Sequence, residues 1–336
     1  MSKVLVTGAA GQVGARLVRQ LLARNHEVRG TLLPDDPAAN RIAGLDVERV
    51  AGDLRDLEFV RKAVDGVTAV LHTANLVGAE HFENNVMCTF NVAKACAEKA
   101  DALSRLVSVS SSGVYPNDSH AVACAYHPVD ENHPRRPIDD YSLSKLIGED
   151  IVASFARASG LRAAMVRPSG IVSGDAILSR WSAGFVGAIL QTGLSSPESE
   201  MYLPNAGEPW KELATLAVSP DQPCAATGPD GRPWMYQLVD ARDVAHGIVC
   251  ALEADAAVGE VFNISAPRPI TYPEAAAIMA EVTGMEVLEY RAPVRWVFDL
   301  DNTKAKTQIG YRPRWGIREM IEDAMSFRAG KTDGLS

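Results

Sequence analysis

The chain has 336 residues, 47% of them hydrophobic, enough for one large domain or two modest ones around a packed core. Its formal charge of -9 argues against a general nucleic-acid surface, which needs a basic patch, and no Lys/Arg-rich run occurs. No apolar stretch is long enough to cross a bilayer, and Met1-Ser2-Lys3 lacks the basic and apolar regions of a signal peptide, so residence in the cytoplasm away from membranes is expected.

Val4-Leu5-Val6 is an apolar run ending at Gly8, and Val13, Leu17, Val18, Leu21 and Leu22 then recur at helical spacing. Strand, tight turn and helix are predicted in that order. A second strand covers 26–33 and stops at Pro34-Asp35-Asp36-Pro37. Further strands are predicted at 47–50, 67–71, 106–110 and 162–166, separated by helices at 57–64, which Asp56 caps, 84–99 and 141–158. From 194 to 234, Pro, Gly and Ser predominate, which reads as loop-rich cover; Trp181, Met201, Tyr202, Trp210 and Trp234 are expected to shape a substrate pocket there. Regular structure returns with a helix at 243–252, a strand at 260–264 and a helix at 272–283 ended by Gly284, and 330–336 reads as a frayed tail. Strands alternating with helices specify an α/β fold: a Rossmann-type doubly wound parallel sheet with its ligand beyond the carboxyl ends of the strands. Residues 1–170 are assigned to a dinucleotide-binding domain and 171–330 mainly to a smaller C-terminal substrate-binding subdomain, with 240–265 returning to the first.

The turn Thr7-Gly8-Ala9-Ala10-Gly11-Gln12-Val13-Gly14 places three glycines where a backbone must bend sharply, approach a pyrophosphate and pack a helix on a sheet. The following helix N-terminus offers free N–H groups to the phosphates. Gly8, Gly11, Gln12, Val13 and Gly14 are therefore cofactor-binding candidates. Cofactor type should be set at the end of the second strand, where Leu32 and Leu33 supply neither the acid of an NAD site nor the arginine of an NADP site. Asp35 and Asp36 would repel a 2′-phosphate and Arg41 would attract one; the balance favours NAD over NADP. Asp53 could accept from the adenine amino group or simply cap a turn.

Tyr141 and Lys145 stand four residues apart on a predicted helix, on one face. A free phenol ionises near pH ~10, and a neighbouring ammonium favours its anion, so the pair suits a general base beside an alcohol. Ser110, Ser111 and Ser112 close a strand, where a hydroxyl can fix the substrate oxygen. Taken one at a time, Tyr141 is helix packing, Lys145 a solvated charge and the serines a turn. As an ordered set behind a dinucleotide turn they read as catalytic. His120, His127 and His133 lack metal-ligand spacing and are assigned solvent-facing or substrate-lining roles, and no metal is expected. Five cysteines (Cys88, Cys96, Cys124, Cys224, Cys250) without a CxxC pair fit reduced thiols. His72 reads as a strand-end histidine satisfied by neighbours, and Asp139 and Asp140 as caps for the helix of Tyr141.

These motifs together resemble the extended short-chain dehydrogenase/reductase family, also called the NAD-dependent epimerase/dehydratase family. Thr7 to Gly14 is similar to its TGxxGxxG, Gly52-Asp53-Leu54 to its GDL, and His72-Thr73-Ala74-Asn75 to its HxAA. Asn84-Asn85-Val86 with Thr89 and Asn91 resembles NNVxGTxN, Ser110 to Tyr115 resembles SSxxVYG, and Tyr141 to Lys145 is the YxxxK. Val239 to Ala245 and Gly259 to Ile264 also fit. The resemblance implies a Ser/Tyr/Lys triad of Ser111, Tyr141 and Lys145, with Asp53, Leu54, Thr73, Ala74, Asn75, Asn85 and Pro168 lining the cofactor, and a homodimer through the helices from Asn84 and Tyr141. Family dehydratases carry Asp-Glu where Ser112-Gly113 stand, so dehydration is not expected. Nucleotide-sugar members read RxxNVYG where this chain has Arg167 to Gly174, a version closer to the 3β-hydroxysteroid dehydrogenase branch. Val28 to Leu33 is similar to the VRATVR strand of dihydroflavonol reductases without its final Arg. The expected activity is NAD(P)-dependent interconversion of a secondary alcohol and a ketone on a small molecule. An epimerase with retained NAD and a non-catalytic dinucleotide sensor remain alternatives.

Overall fold

The computed structural model describes residues 2–76, 80–116 and 122–335. The chain runs β1 (Lys3–Thr7), α1 (Gln12–Ala23), β2 (Glu27–Leu32), β3 (Val47–Ala51), α2 (Leu57–Val64), β4 (Ala69–His72), α3 (His81–Ala97), β5 (Arg105–Val109), α4 (Asp140–Ser159) and β6 (Ala163–Pro168). It continues through β7 (Ile171–Val172), α5 (Ala183–Ser195), α6 (Pro209–Leu216), β8 (Cys224–Thr227), β9 (Met235–Tyr236), β10 (Val239–Asp240), α7 (Ala241–Glu253) and β11 (Val261–Ile264). The last part holds β12 (Ile270–Thr271), α8 (Tyr272–Thr283), β13 (Leu288–Arg291), β14 (Val297–Phe298), α9 (Thr303–Gln308) and α10 (Ile317–Arg328).

Seven strands form one sheet in the order β11-β6-β5-β4-β1-β2-β3, and every pairing in it is parallel. Alternation along a strand sends side chains to both faces. In β1, Val4 and Val6 join one core with Leu17 and Leu21 of α1 and Val244 and Ile248 of α7. Leu5 joins the opposite core with Val60 of α2, Val92 of α3 and Val152 of α4. Both faces are therefore covered, and the carboxyl ends of β1, β4, β5 and β6 open on one edge.

The remaining elements gather around an aromatic core in which Trp181, Trp234, Tyr272 and Trp296 pack with ring centroids 4.9–6.2 Å apart. Here the structure corrects the sequence reading. The stretch 194–234 holds α6 and β8. Pro209 opens α6 at its first turn, where a missing N–H costs nothing, although in sequence it reads as a breaker. Trp181, Met201 and Trp234 are buried packing rather than pocket lining; Tyr202 is exposed and Trp210 half-buried. The tail is not frayed as far as residue 335, because Leu335 is buried against the α1 side of the sheet and the Gly334 carbonyl accepts from Arg16 Nη2. His127 bridges Asp299 (3.0 Å) and Glu200 (3.3 Å), which raises its pKa to about 9, and buried His133 accepts from the Ala125 N–H; His120 lies outside the described residues.

Candidate active site

The glycine turn is built by exclusion. Gly8 has φ +66°, and a Cβ there would sit 2.8 Å from Ala74 Cα. A Cβ on Gly14 would lie 2.1 Å from the Gly8 carbonyl oxygen, so α1 can start against the turn only with glycine at this position. Gly11 is the N-cap of α1 without a side-chain cap, and the first turn carries no acid. Uncapped N–H groups at a helix start suit a pyrophosphate, so these residues fit a dinucleotide. Gly11 and Gln12 are exposed at this end, while Val13 packs inward.

Beside the turn, Thr7 organises the end of β4. Its Oγ1 accepts from the N–H groups of Thr73 and Ala74, both at 3.2 Å, and bonds His72 Nδ1 at 2.8 Å. His72 Nε2 reaches Thr89 Oγ1 at 3.2 Å, and burial beside Lys145 pushes the ring down to about 3, so it stays neutral. Asn85, expected to line the cofactor, grips the backbone of Leu76 through both its amide atoms (2.8 and 3.2 Å) and so fixes the Thr73-Ala74-Asn75 segment. Asp53 accepts from the Arg55 N–H at 2.8 Å and pairs with the Arg55 guanidinium at 2.6 Å, the turn-capping role; buried Leu54 follows, its carbonyl held by Asn91 at 2.9 Å. At the end of β2, Leu32 is buried, Leu33 exposed, and Arg41 turns its Nη1 to the Ala10 carbonyl at 3.2 Å.

Asp139 caps α4 by accepting from the Ser142 N–H at 2.7 Å, and α4 then presents Tyr141 and Lys145 on successive turns. The Lys145 ammonium lies 5.7 Å from the Tyr141 ring centroid and donates to the Val109 carbonyl at 3.4 Å. Burial lowers its pKa to about 8. Tyr141 is 37% exposed, which leaves its ring open to a ligand. Ser111 follows the end of β5, with its Oγ accepting from the Gly113 N–H at 3.0 Å. A Cβ on Gly113 would come 2.6 Å from Ser142 Oγ, so glycine lets the 112–114 turn lie against the residue next to Tyr141. Pro168, buried at the end of neighbouring β6, completes the edge. The arrangement can hold a phenol near a cation, with a hydroxyl alongside, at the mouth of a phosphate-binding turn.

A family model described as the NAD dependent epimerase/dehydratase family matches residues 4–265. The chain belongs to the NAD dependent epimerase/dehydratase family. Among its relatives, a UDP-glucose 4-epimerase of Corynebacterium glutamicum is 26% identical over 98% of this chain and 97% of its own length. A 3 beta-hydroxysteroid dehydrogenase/Delta 5-->4-isomerase of Mycobacterium tuberculosis is 33% identical over 51% of this chain. The matched stretch spans about half of that relative (47%), as it does of a sterol demethylase protein B of Methylococcus capsulatus (51%), which is 34% identical over 50% of this chain. A solved short-chain dehydrogenase/reductase superfamily protein from Agrobacterium tumefaciens, with bound NAD, superposes with a TM-score of 0.77 at 26% identity and covers 98% of both chains.

Within this epimerase/dehydratase fold a buried polar network, absent from the sequence reading, lies behind the Tyr-Lys pair. Glu149, one turn beyond Lys145, accepts from Ser110 Oγ at 2.6 Å and from Arg167 Nε and Nη2, both at 2.7 Å. Arg167 also donates to the Tyr115 hydroxyl at 2.6 Å, which donates to Asn263 Oδ1 at 2.9 Å. Successive turns of α4 thus hold successive residues at the end of β5 and just past it, Lys145 on Val109 and Glu149 on Ser110. That grip fixes Ser111 relative to Tyr141. The one signal in sequence was the second four-residue step, Lys145 to Glu149.

Proposed function

We propose that this chain is an NAD-dependent dehydrogenase or reductase acting on a secondary alcohol and its ketone, with Tyr141 as general acid/base, Lys145 supporting its anion and Ser111 orienting the substrate oxygen. The observation that carries this is the Lys145 ammonium, lodged between the Tyr141 ring and the Val109 carbonyl at the end of β5. The cofactor, when bound, supplies the hydride acceptor. The chain's residues do the rest: the 8–14 turn and the start of α1 hold the phosphates, Ser111 donates to the reacting oxygen, and Tyr141 Oη takes the hydroxyl proton. NAD is favoured over NADP by Asp35 and Asp36 beyond β2 and by the engagement of Arg41 with Ala10.

Two observations narrow the chemistry. Ser112 and Gly113 offer no acid to expel a hydroxyl, so dehydration is not proposed. At Gly170 a Cβ would meet the Tyr236 hydroxyl at 2.8 Å and Leu238 Cδ2 at 2.9 Å, so the asparagine that family nucleotide-sugar members carry here would fit only if both side-chain ends moved. This favours a compact substrate. The epimerase likeness over 98% of the chain supports a second reading, in which one carbon is oxidised and re-reduced on retained NAD.

The dehydrogenase reading is tested by supplying NAD with a panel of hydroxy acids, aldonates, lactols and aryl alcohols and following the absorbance of the reduced ring. A dehydrogenase accumulates it with product; an epimerase gives no net change. Tyr141→Phe should lower kcat by about a thousandfold or more while NAD affinity stays within about twofold. Turnover close to wild type in that variant would remove the phenol from the mechanism. We further propose residues 171–330, less the 240–265 return, as the part that chooses substrate, cytoplasmic residence, and a homodimer formed through α3 and α4.

A further inference from the structure

We propose that Arg180 is the anion-binding residue of this site and that the substrate is a hydroxy acid whose carboxylate it holds. The inference rests on the dehydrogenase reading and names its substrate class.

The other sheltered arginines all have acceptors. Arg16 donates to carbonyls, Arg105 pairs with Asp255 at 3.5 Å, Arg167 with Glu149 at 2.7 Å and Arg242 with Asp240 at 2.8 Å. Arg180 differs. It is half-buried; its Nε, like those of Arg16 and Arg105, is inaccessible and without a hydrogen-bond partner, and unlike theirs its guanidinium makes neither a hydrogen bond nor an ion pair among the described residues. Its remaining support is the face of Phe185, 5.1 Å below. A partly desolvated cation without a counter-ion is unfavourable, and in a chain of net charge -9 acids were plentiful for pairing. An anion arriving from outside resolves the imbalance, and a guanidinium fork matches a carboxylate.

Position connects Arg180 to the reacting edge. It sits on the turn Ala176–Trp181 after β7, and the Phe185 ring beneath it stacks on Tyr236 at 6.1 Å. The Tyr236 hydroxyl lies against Gly170, two residues past Pro168 at the end of β6. Just past the end of neighbouring β5 stands Ser110, whose N–H donates to the Val166 carbonyl at 2.8 Å. Two further buried hydroxyls without hydrogen-bond partners, Ser112 Oγ and Ser169 Oγ, lie just past the ends of β5 and β6. A molecule with its alcohol at Tyr141 and a carboxylate at Arg180 would give the guanidinium the counter-ion it lacks. The same guanidinium could take the diphosphate of a nucleotide sugar, but the filled space at Gly170 favours the smaller acid.

The test uses full-length protein saturated with NAD and follows quenching of its tryptophan fluorescence, Trp181 being next to Arg180. Probes are L-lactate, D-gluconate and D-glucuronate, with methyl glucoside as the neutral control and UDP-glucose as the diphosphate control. At least one acid should bind with methyl glucoside silent; Arg180→Met should weaken that acid by about tenfold to a hundredfold and Arg180→Lys by less, with NAD affinity unchanged. The proposal is overturned if no acid binds, if Arg180→Met binds the acid as wild type does, or if only UDP-glucose binds through Arg180. Tyr141→Phe separates the two claims. Arg180-dependent acid binding with undiminished Tyr141→Phe turnover defeats the dehydrogenase reading alone, whereas loss of turnover in Tyr141→Phe without acid binding defeats this one alone.

Discussion

In the proposed mechanism Lys145 meets opposed demands: it must be charged to support a phenolate, yet it is packed where charge is unfavourable. Its folded pKa of about 8 lies below the ordinary 10.5, so between those values the unfolded chain binds more protons than the folded one. Stability attributable to this residue therefore rises with pH from about 8 to about 10.5, and at neutral pH the ammonium is a net cost. Lys145→Met should stabilise the cofactor-free protein by roughly 1–2 kcal/mol at pH 7, since a tenfold loss of proton affinity corresponds to about 1.4 kcal/mol and part of the side chain keeps solvent contact. Urea melts at pH 7 and near pH 10 check this, and an equal gap at both would exclude the proposed cause. At this scale the sequence revealed what is local. The three-residue glycine steps and the Tyr141–Lys145 interval are periodicities of one turn or one helix. The partnership of Glu149 with Ser110 and Arg167 joins a helix to two strands, and no spacing encodes which strands are neighbours. Asn85 shows the same limit, because its motif names the residue while only the fold shows that it grips Leu76.

Element boundaries were legible where capping chemistry is explicit. Helix α2 occupies the predicted 57–64 behind Asp56, which accepts from the Glu58 and Phe59 N–H groups, and α8 occupies the predicted 272–283 between Thr271 and Gly284 at φ +73°. Without such signals, α3 begins at His81 rather than at the predicted 84, and α6 was hidden by its opening proline. Helices α3 and α4 also bear on assembly. They pack on each other, with Phe90 edge-on to Phe155 at 5.4 Å, yet Met87 and Phe90 of α3 and Leu143 of α4 remain exposed. Apolar side chains presented together by two adjacent helices are what a self-complementary dimer buries. Phe90→Asp should shift the sedimenting species from dimer to monomer with little loss of helix content, and a wild type that sediments as a monomer would sink the proposed dimer.

The fold class was legible from the alternation of strands and helices, and the seven-stranded parallel sheet bears it out. Less legible was how distant segments close on it, because burial against another element leaves no local period. The C-terminal segment is the clearest case. Leu335 enters the α1-side core, Gly334 accepts from Arg16, and Asp333 approaches Arg19 at 3.6 Å. Removing residues 331–336 should therefore destabilise the protein by about 1–2 kcal/mol, the burial of one leucine less the entropy of ordering the segment, measurable as a lowered Tm. An unchanged Tm would show that the docked segment contributes nothing.

Strand β11 has a consequence for biosynthesis. It pairs with β6, completing the sheet with residues that follow it by almost a hundred positions along the chain. Until Ile264 has left the ribosome, the nascent chain displays the wholly buried strand β6 as a bare, apolar rim with unmet amide groups. Folding must wait on synthesis there, and the interval is when a chaperone, or another unfinished copy, would find its template.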